Sequence, residues 1–279
     1  MSARPPLYVL HAPGTNRDAE AAWAAEVAGF EPTIVHVAHA VDATVPLDKS
    51  AAIVVPGGFS YGDALGAGVR FALDLRLSLA QELRTFVDDG GYVLGICNGF
   101  QALVKSGLLP GPTSIGDEGS RSAGESAPQK SADAVGGRER TVTLTQNQRG
   151  RFECRWVHLE PNRNATASWL ADIEDLIHCP VAHGEGRFAV ADEATLAAIE
   201  AQNLAAFRYV DANGQPVDGA YPLNPNGSVG DIAGICDATG RVVGLMPHPE
   251  DHILAVQRPH GTDGQLGLAL FSALRDAVG

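Results

Sequence analysis

The sequence predicts an α/β protein with an open, mostly parallel sheet covered by helices on both faces and with antiparallel additions in its second half. Three observations carry this. Fully apolar, β-branched runs recur through the first half of the chain, and helical stretches rich in alanine and leucine separate them. Strands alternating with helices imply a parallel sheet buried on both sides. After about residue 140 the pattern changes to period-two alternation with Asn-Gly and Thr-Gly turns, the signature of antiparallel strands.

In chain order, "LYVLHA" (Leu7 to Ala12) is a short strand, and "PGTN" turns into an alanine-rich helix from about Arg17 to Ala28. "TIVHVA" from Thr33 and "AAIVV" from Ala51 are expected as strands of the fully buried kind. "PGGFSYGD" follows as a loop, with one long helical stretch over Leu65 to Val87. "YVLGI" is a strand ending at Cys97, and "GFQALVKSG" continues as a helix closed by Gly107. "RTVTLTQNQRGRFECRWVHLE" reads as antiparallel strands around a Gln-Arg-Gly turn, and "GRFAVADEATLAAIEAQ" as a strand or loop leading into a short helix. "AFRYVDANGQP" and "IAGICDATGRVVGLMP" read as hairpin strands, and Gly264 to Ala277 as an amphipathic helix.

A chain of 279 residues can bury a full core, and a single domain over 1–279 is expected, interrupted by a low-complexity insertion at about 110–137. That insertion is rich in Gly, Ser, Ala and Pro. Its few bulky apolar residues cannot offset the entropy of ordering it. The net charge of -13 argues against nucleic-acid binding, which needs a basic face. No segment approaches membrane-spanning length and the N-terminal apolar run is too short for a signal peptide, so a cytoplasmic location is expected. Cys97, Cys154, Cys179 and Cys236 lie far apart without metal-ligand spacing, so free thiols and no metal site are expected.

One of these thiols has a chemical setting. A parallel strand ending in G-x-C-x-G, here Gly95, Cys97 and Gly99, resembles a nucleophile elbow, whose crowded strand-to-helix turn requires small neighbours. The helix that follows favours a thiolate at its N-terminus, and the Asn98 amide stands where an oxyanion donor is wanted. The plainer reading is a buried cysteine at a strand end, and the motif alone leaves both open. Downstream, "GLMPHPED" holds His248 between two prolines, which predicts an extended segment with His248 and Glu250 projecting to the same side. A thiol nucleophile needs a base and the base an orienting carboxylate. Gly57 and Gly58, at the end of another parallel strand, let backbone amides approach a substrate closely. Walker A and GxGxxG patterns are absent, so no nucleotide is expected on this chain.

Cys97, His248 and Glu250, together with "PGGFSYGD", "GICNGFQ" and "MPHPE", resemble the class I (triad) glutamine amidotransferases. "APGTNRD", "LTQNQRGRFECRW", "PVAHGEGRF" and "NPNGS" are similar, within that family, to the glutaminase subunits of phosphoribosylformylglycinamidine synthases of purine biosynthesis. The resemblance runs from about Leu10 to Glu250. It implies a flavodoxin-like fold and hydrolysis of L-glutamine to glutamate and ammonia through a γ-glutamyl thioester on Cys97. It implies that His248 is the base, that Glu250 fixes the imidazole, and that the Gly58 and Asn98 amides cradle the oxyanion. Gln101 matches a position that helps hold the glutamine, and His183 lies in a segment that meets the glutamine backbone in relatives. The implied partners are a large synthetase subunit that carries ATP and Mg and converts formylglycinamide ribonucleotide to formylglycinamidine ribonucleotide, and a small accessory subunit. No cofactor is implied on this chain, whose start at Met1 and lack of an ATP signature suit a free-standing subunit. Arg17 departs from the cysteine that many relatives have in "APGTN-x-D", and the insertion is longer than the compact form. The competing readings are the ammonia-supplying subunit of another triad amidotransferase, a γ-glutamyl hydrolase or DJ-1-like cysteine hydrolase, and a non-catalytic subunit with a relict triad.

Overall fold

The first strand, β1 (Pro6–His11), is followed by helix α1 (Asp18–Val27), strand β2 (Glu31–His36) and a single-turn helix α2 (Val37–Val41). Then come β3 (Ala52–Val55), α3 (Val69–Leu77), α4 (Ala80–Asp88), β4 (Tyr92–Ile96) and α5 (Asn98–Ser106). The second half supplies β5 (Val142–Thr145), β6 (Glu153–Pro161), β7 (Ile177–His183), β8 (Arg187–Val190), α6 (Glu193–Ala201), β9 (Ala205–Val210), β10 (Ile232–Cys236), β11 (Val242–Leu245) and α7 (Leu268–Ala277). The structure, a computed structural model, describes residues 3–111, 141–261 and 264–279. All of the Pro110–Gly137 insertion beyond Gly111 lies outside the described residues.

The large sheet runs β2-β1-β3-β4-β11-β10-β9-β6-β7. Its β2, β1, β3, β4 and β11 are parallel, and β10, β9, β6 and β7 add on antiparallel. The expected α/β architecture with antiparallel additions is what forms. Its central strands are all apolar because both faces are covered: every residue of β3 and β11 is buried. In α5, buried residues occupy all sides of the helix, from Asn98 to Ser106, as expected of a helix enclosed by other elements. Gly107, at φ 84°, ends it. The parallel pairing of β4 with β11 sets Ile96 beside Leu245, so residues far apart in sequence leave the sheet side by side at its carboxyl edge.

Several local expectations give way. β2 is the sheet edge, with Glu31, Thr33 and Ile34 exposed, and only an edge strand would accept Pro32 in its ladder. The stretch Leu65 to Val87 is two helices. Left-handed backbone at Leu65, Gly66 and Gly68 delays the first, and Ser78 and Leu79 break the run. The Gln148–Gly150 turn forms, with the Gly150 amide on the Asn147 carbonyl at 2.8 Å, yet it does not join a hairpin. β5 pairs with β8 in a separate small sheet, whereas β6 pairs with β7 and β9. The Thr239-Gly240 hairpin joins β10 to β11 as expected, but after the Asn213-Gly214 turn the chain returns only as an isolated bridge between Val210 and Pro216. The last helix begins at Leu268. No helix of the described residues is long and apolar enough to cross a membrane.

On the antiparallel side, His178 stacks on His158 at 4.5 Å and lies 4.8 Å from Trp156, with His252 edge-on at 6.0 Å. Burial, then the charges of His158, His252 and Arg258, push the His178 pKa down to about 4. A histidine with a depressed native pKa contributes stability that is full above its unfolded value near 6.5 and is lost as pH falls from there towards 4. Urea midpoints measured at pH 7.5, 5.5 and 4.5 are therefore expected to fall steadily. The decline should be shallower in His178→Phe, which keeps the ring stack and removes the titration, and equal slopes would refute this account.

Candidate active site

Cys97 sits in the turn between β4 and α5 with φ 49° and ψ -105°, a left-handed conformation that a non-glycine residue holds only when its surroundings impose it. Here they do: the Cys97 amide donates to the Leu245 carbonyl at 2.8 Å, and its own carbonyl accepts from the Gln101 amide at 3.0 Å. Gly99 is required by close approach, since a Cβ there would collide with the Val55 carbonyl. The sharp elbow expected from G-x-C-x-G is thus present, and it places the thiol at the carboxyl edge of the parallel strands. The thiol is buried, 5% exposed, and donates to the Ala182 carbonyl at 3.8 Å.

His248 reaches this point from the end of β11. Its backbone amide donates to the Pro180 carbonyl of β7 at 2.8 Å, so the antiparallel half of the sheet fixes its position. The pairing of His248 with Glu250 differs from the extended geometry expected. Pro249–Asp251 is a 3₁₀ turn with His248 as its first flanking residue, and the turn carries Glu250 back onto the ring. Nδ1 of His248 and Oε1 of Glu250 lie 2.7 Å apart, and both residues are buried. Nε2, also buried, has no hydrogen-bond partner among the described residues. Burial would lower the His248 pKa, but the charges of Glu250 and Cys97, with the hydrogen bond to Glu250, override it and raise it well above its ordinary value. The pair is therefore electrostatically suited to hold a proton taken from the thiol.

The remaining sequence-derived candidates surround these three. A Cβ on Gly57 would stand 2.7 Å from His248 Cε1, so only glycine lets the ring lie against this turn. Gly58, with φ 135°, faces Asn16 and Thr15, which explains why the "APGTN" loop accompanies "PGG". No side chain or backbone acceptor engages the Gly58 or Asn98 amide among the described residues. The Asn98 side chain is also engaged. Its Oδ1 accepts from the Ser60 hydroxyl at 2.6 Å, and its Nδ2 donates to Asp63 and Gln101 at 3.2 Å each. Gln101 donates in turn to the Glu185 carbonyl at 2.6 Å, so it braces α5 against the loop after β7. His183, at the end of β7, is buried, and burial, then the charge of His248, pushes its pKa down to about 3.

Residues that the sequence did not single out complete the enclosure. Asn147, 2% exposed, holds the loop around His183 from four directions. Its side-chain amide donates to the carbonyls of Arg151 (2.9 Å) and His183 (2.8 Å), while Oδ1 faces the Gly186 amide (2.9 Å) and His183 Nδ1 (3.2 Å). Apart from Arg151, four residues on, its partners His183 and Gly186 lie 36 and 39 residues away, so no local pattern marks it. Ser60 and Asp63 hold the "GGFSYGD" loop to α5 through Asn98. Among the described residues no cluster of three or more His, Cys, Asp or Glu side chains is placed to hold a metal ion. What the arrangement can do is form and resolve an acyl-thioester on Cys97 with His248 as proton carrier.

Comparison with known proteins gives a consistent result. A family model described as the CobB/CobQ-like glutamine amidotransferase domain matches residues 4–276. The phosphoribosylformylglycinamidine synthase subunit PurQ of Treponema denticola is 45% identical over 258 residues, covering 91% of each chain. The subunit of the same name from Methanococcus maripaludis is 39% identical over 255 residues, covering 91% of this chain and 85% of that one. A chain in the structure of PurLQS from Thermotoga maritima is 30% identical with a TM-score of 0.68, covering 98% of both chains. The glutaminase domain of Trypanosoma brucei CTPS with bound acivicin, at 13% identity and a TM-score of 0.54 over 98% of this chain and 93% of that one, shares the fold.

Proposed function

This chain belongs to the CobB/CobQ-like glutamine amidotransferase family, and from that premise we propose that it is the glutaminase subunit of a phosphoribosylformylglycinamidine synthase. It hydrolyses L-glutamine to glutamate and ammonia, and a large synthetase subunit uses the ammonia to convert formylglycinamide ribonucleotide to formylglycinamidine ribonucleotide. The observation that carries the chemistry is the buried His248–Glu250 pair at 2.7 Å, set beside a thiol on a strained elbow.

Cys97 attacks the side-chain amide of glutamine after His248 takes its proton. The tetrahedral oxyanion is met by the amides of Gly58 and Asn98, with Gly57 leaving room for the imidazole. His248 then delivers the proton to departing ammonia, leaving a γ-glutamyl thioester, and afterwards activates the water that hydrolyses it. Glu250 fixes the Nδ1–H tautomer and stabilises the imidazolium. Gln101 and His183 shape the glutamine pocket, His183 as a neutral ring. The chain works as one domain in the cytoplasm and carries no cofactor, while ATP and Mg belong to the synthetase, which a small accessory subunit joins.

A glutamine-like electrophile should attach covalently at Cys97, and L-glutamine should protect against it. Cys154, the exposed thiol outside the site, is the internal control and should react without protection. Peptide mapping that finds no adduct at Cys97, or one indifferent to glutamine, would sink the proposal.

A further inference from the structure

The side of Glu250 turned away from His248 is crowded with negative charge. Glu250 Oε2 is buried and has no hydrogen-bond partner among the described residues, and Asp251 follows in the same 3₁₀ turn. Burial and then Glu250 raise the Asp251 pKa. On β7, burial, then Glu250 and Asp251, push the enclosed Cys179 thiol well above its ordinary range. The cation that answers this charge comes from the start of α1. Arg17 Nη1 lies 3.7 Å from Asp251 Oδ1 and 3.0 Å from Glu20 Oε1. Its stem borders the same small volume as the catalytic ring. A Cβ on Gly57 would stand 3.5 Å from Arg17 Cγ and 2.7 Å from His248 Cε1.

We propose that Arg17 is a positioning residue for the His248–Glu250 pair: its guanidinium anchors the 3₁₀ turn through Asp251 and offsets the adjoining carboxylates, while its stem backs the Gly57 turn on which the ring rests. Arg17 acts through Asp251 and Glu250 and touches no reacting atom. Burial opposes its charge, and Asp251, Glu20 and Glu250 more than compensate, raising its pKa. The role rests on the glutaminase reading of the site. The groups that bear on the titration are Glu250, Cys97 and His183 around His248, and Glu250, His248, Arg17 and Glu20 around Asp251.

Removing a cation favours the protonated form of every neighbour. The test is the pH profile of glutamine kcat/KM in the complex with the synthetase, together with the pH profile of iodoacetamide alkylation at Cys97 by peptide mapping. In Arg17→Gln, which retains much of the stem without the charge, the acid limb of both profiles is expected to move up by about half a unit to one unit. KM for glutamine should change little, and Arg17→Lys should restore the limb. A Gln variant that loses activity with its limb unmoved, or a Lys variant as shifted as the Gln variant, would overturn the proposal and leave Arg17 as packing only. A wild type without glutaminase activity would overturn the functional reading instead, and the alkylation profile would still decide the role of Arg17.

Discussion

Replacing Cys97 with serine is expected to remove glutamine-dependent amidine synthesis by roughly 10³-fold or more while leaving ammonium-dependent synthesis by the assembled complex intact. A hydroxyl holds its proton far more tightly than a thiol, and in the proposed mechanism His248 has to accept that proton. The substitution is small and the elbow is over-determined. The Cys97 amide and carbonyl hydrogen bonds, to Leu245 and Gln101, and the close approach of Gly99 to Val55 do not involve the side chain. The variant should therefore fold, and a urea midpoint close to wild type would confirm it. Both activities are read in the same complex, with glutamine or ammonium as nitrogen donor. Loss of both would show that the chain does more for the synthetase than supply ammonia, and retention of the glutamine activity would remove Cys97 from the mechanism.

The parts of this site that could be read from the sequence are those written in adjacent residues. G-x-C-x-G fixes an elbow because its glycines answer steric demands within a few residues, and His-Pro-Glu fixes a dyad because one turn joins its members. Even there the local geometry differed. The prolines around His248 suggested an extended segment, and the structure uses a 3₁₀ turn to make the same contact. Alternation revealed β5 and β6 as strands but could not name their partners, because a period-two pattern reports which face is buried and says nothing of the neighbour. β5 went to β8, and the loop released between β5 and β6 carries Asn147 into the site. Gln101 illustrates the limit from the other side. The resemblance implies that it helps hold glutamine, and no pattern announces that its side chain also bridges Asn98 and the Glu185 carbonyl. Such long-range hydrogen bonds have no period in the sequence.

The second large effect is expected from Glu250→Gln, which keeps the shape of the orienting side chain and removes its charge. In the wild type, burial works to lower the His248 pKa and the charges of Glu250 and Cys97 overcome it. With glutamine at 250 the largest compensating charge is gone, burial regains weight, and the imidazolium should lose its proton at lower pH. The alkaline limb of kcat/KM is therefore expected to move down, and kcat to fall roughly 10²–10⁴-fold because the tautomer that presents Nε2 to the thiol is no longer enforced. Stability follows the same sign. A histidine with a raised native pKa contributes stability that is full below about 6.5 and is lost as pH rises through the native value, so the variant should lose most on the acid side of that window. Removing the negative charge from this buried side chain works against that loss, although the amide nitrogen that replaces Oε2 then needs an acceptor. His183 offers no substitute base, because its pKa of about 3 reflects a ring whose enclosure disfavours the charge a proton carrier must accept. A Glu250→Gln variant with an unmoved alkaline limb and activity within a few-fold of wild type would show that the 2.7 Å contact does not govern His248.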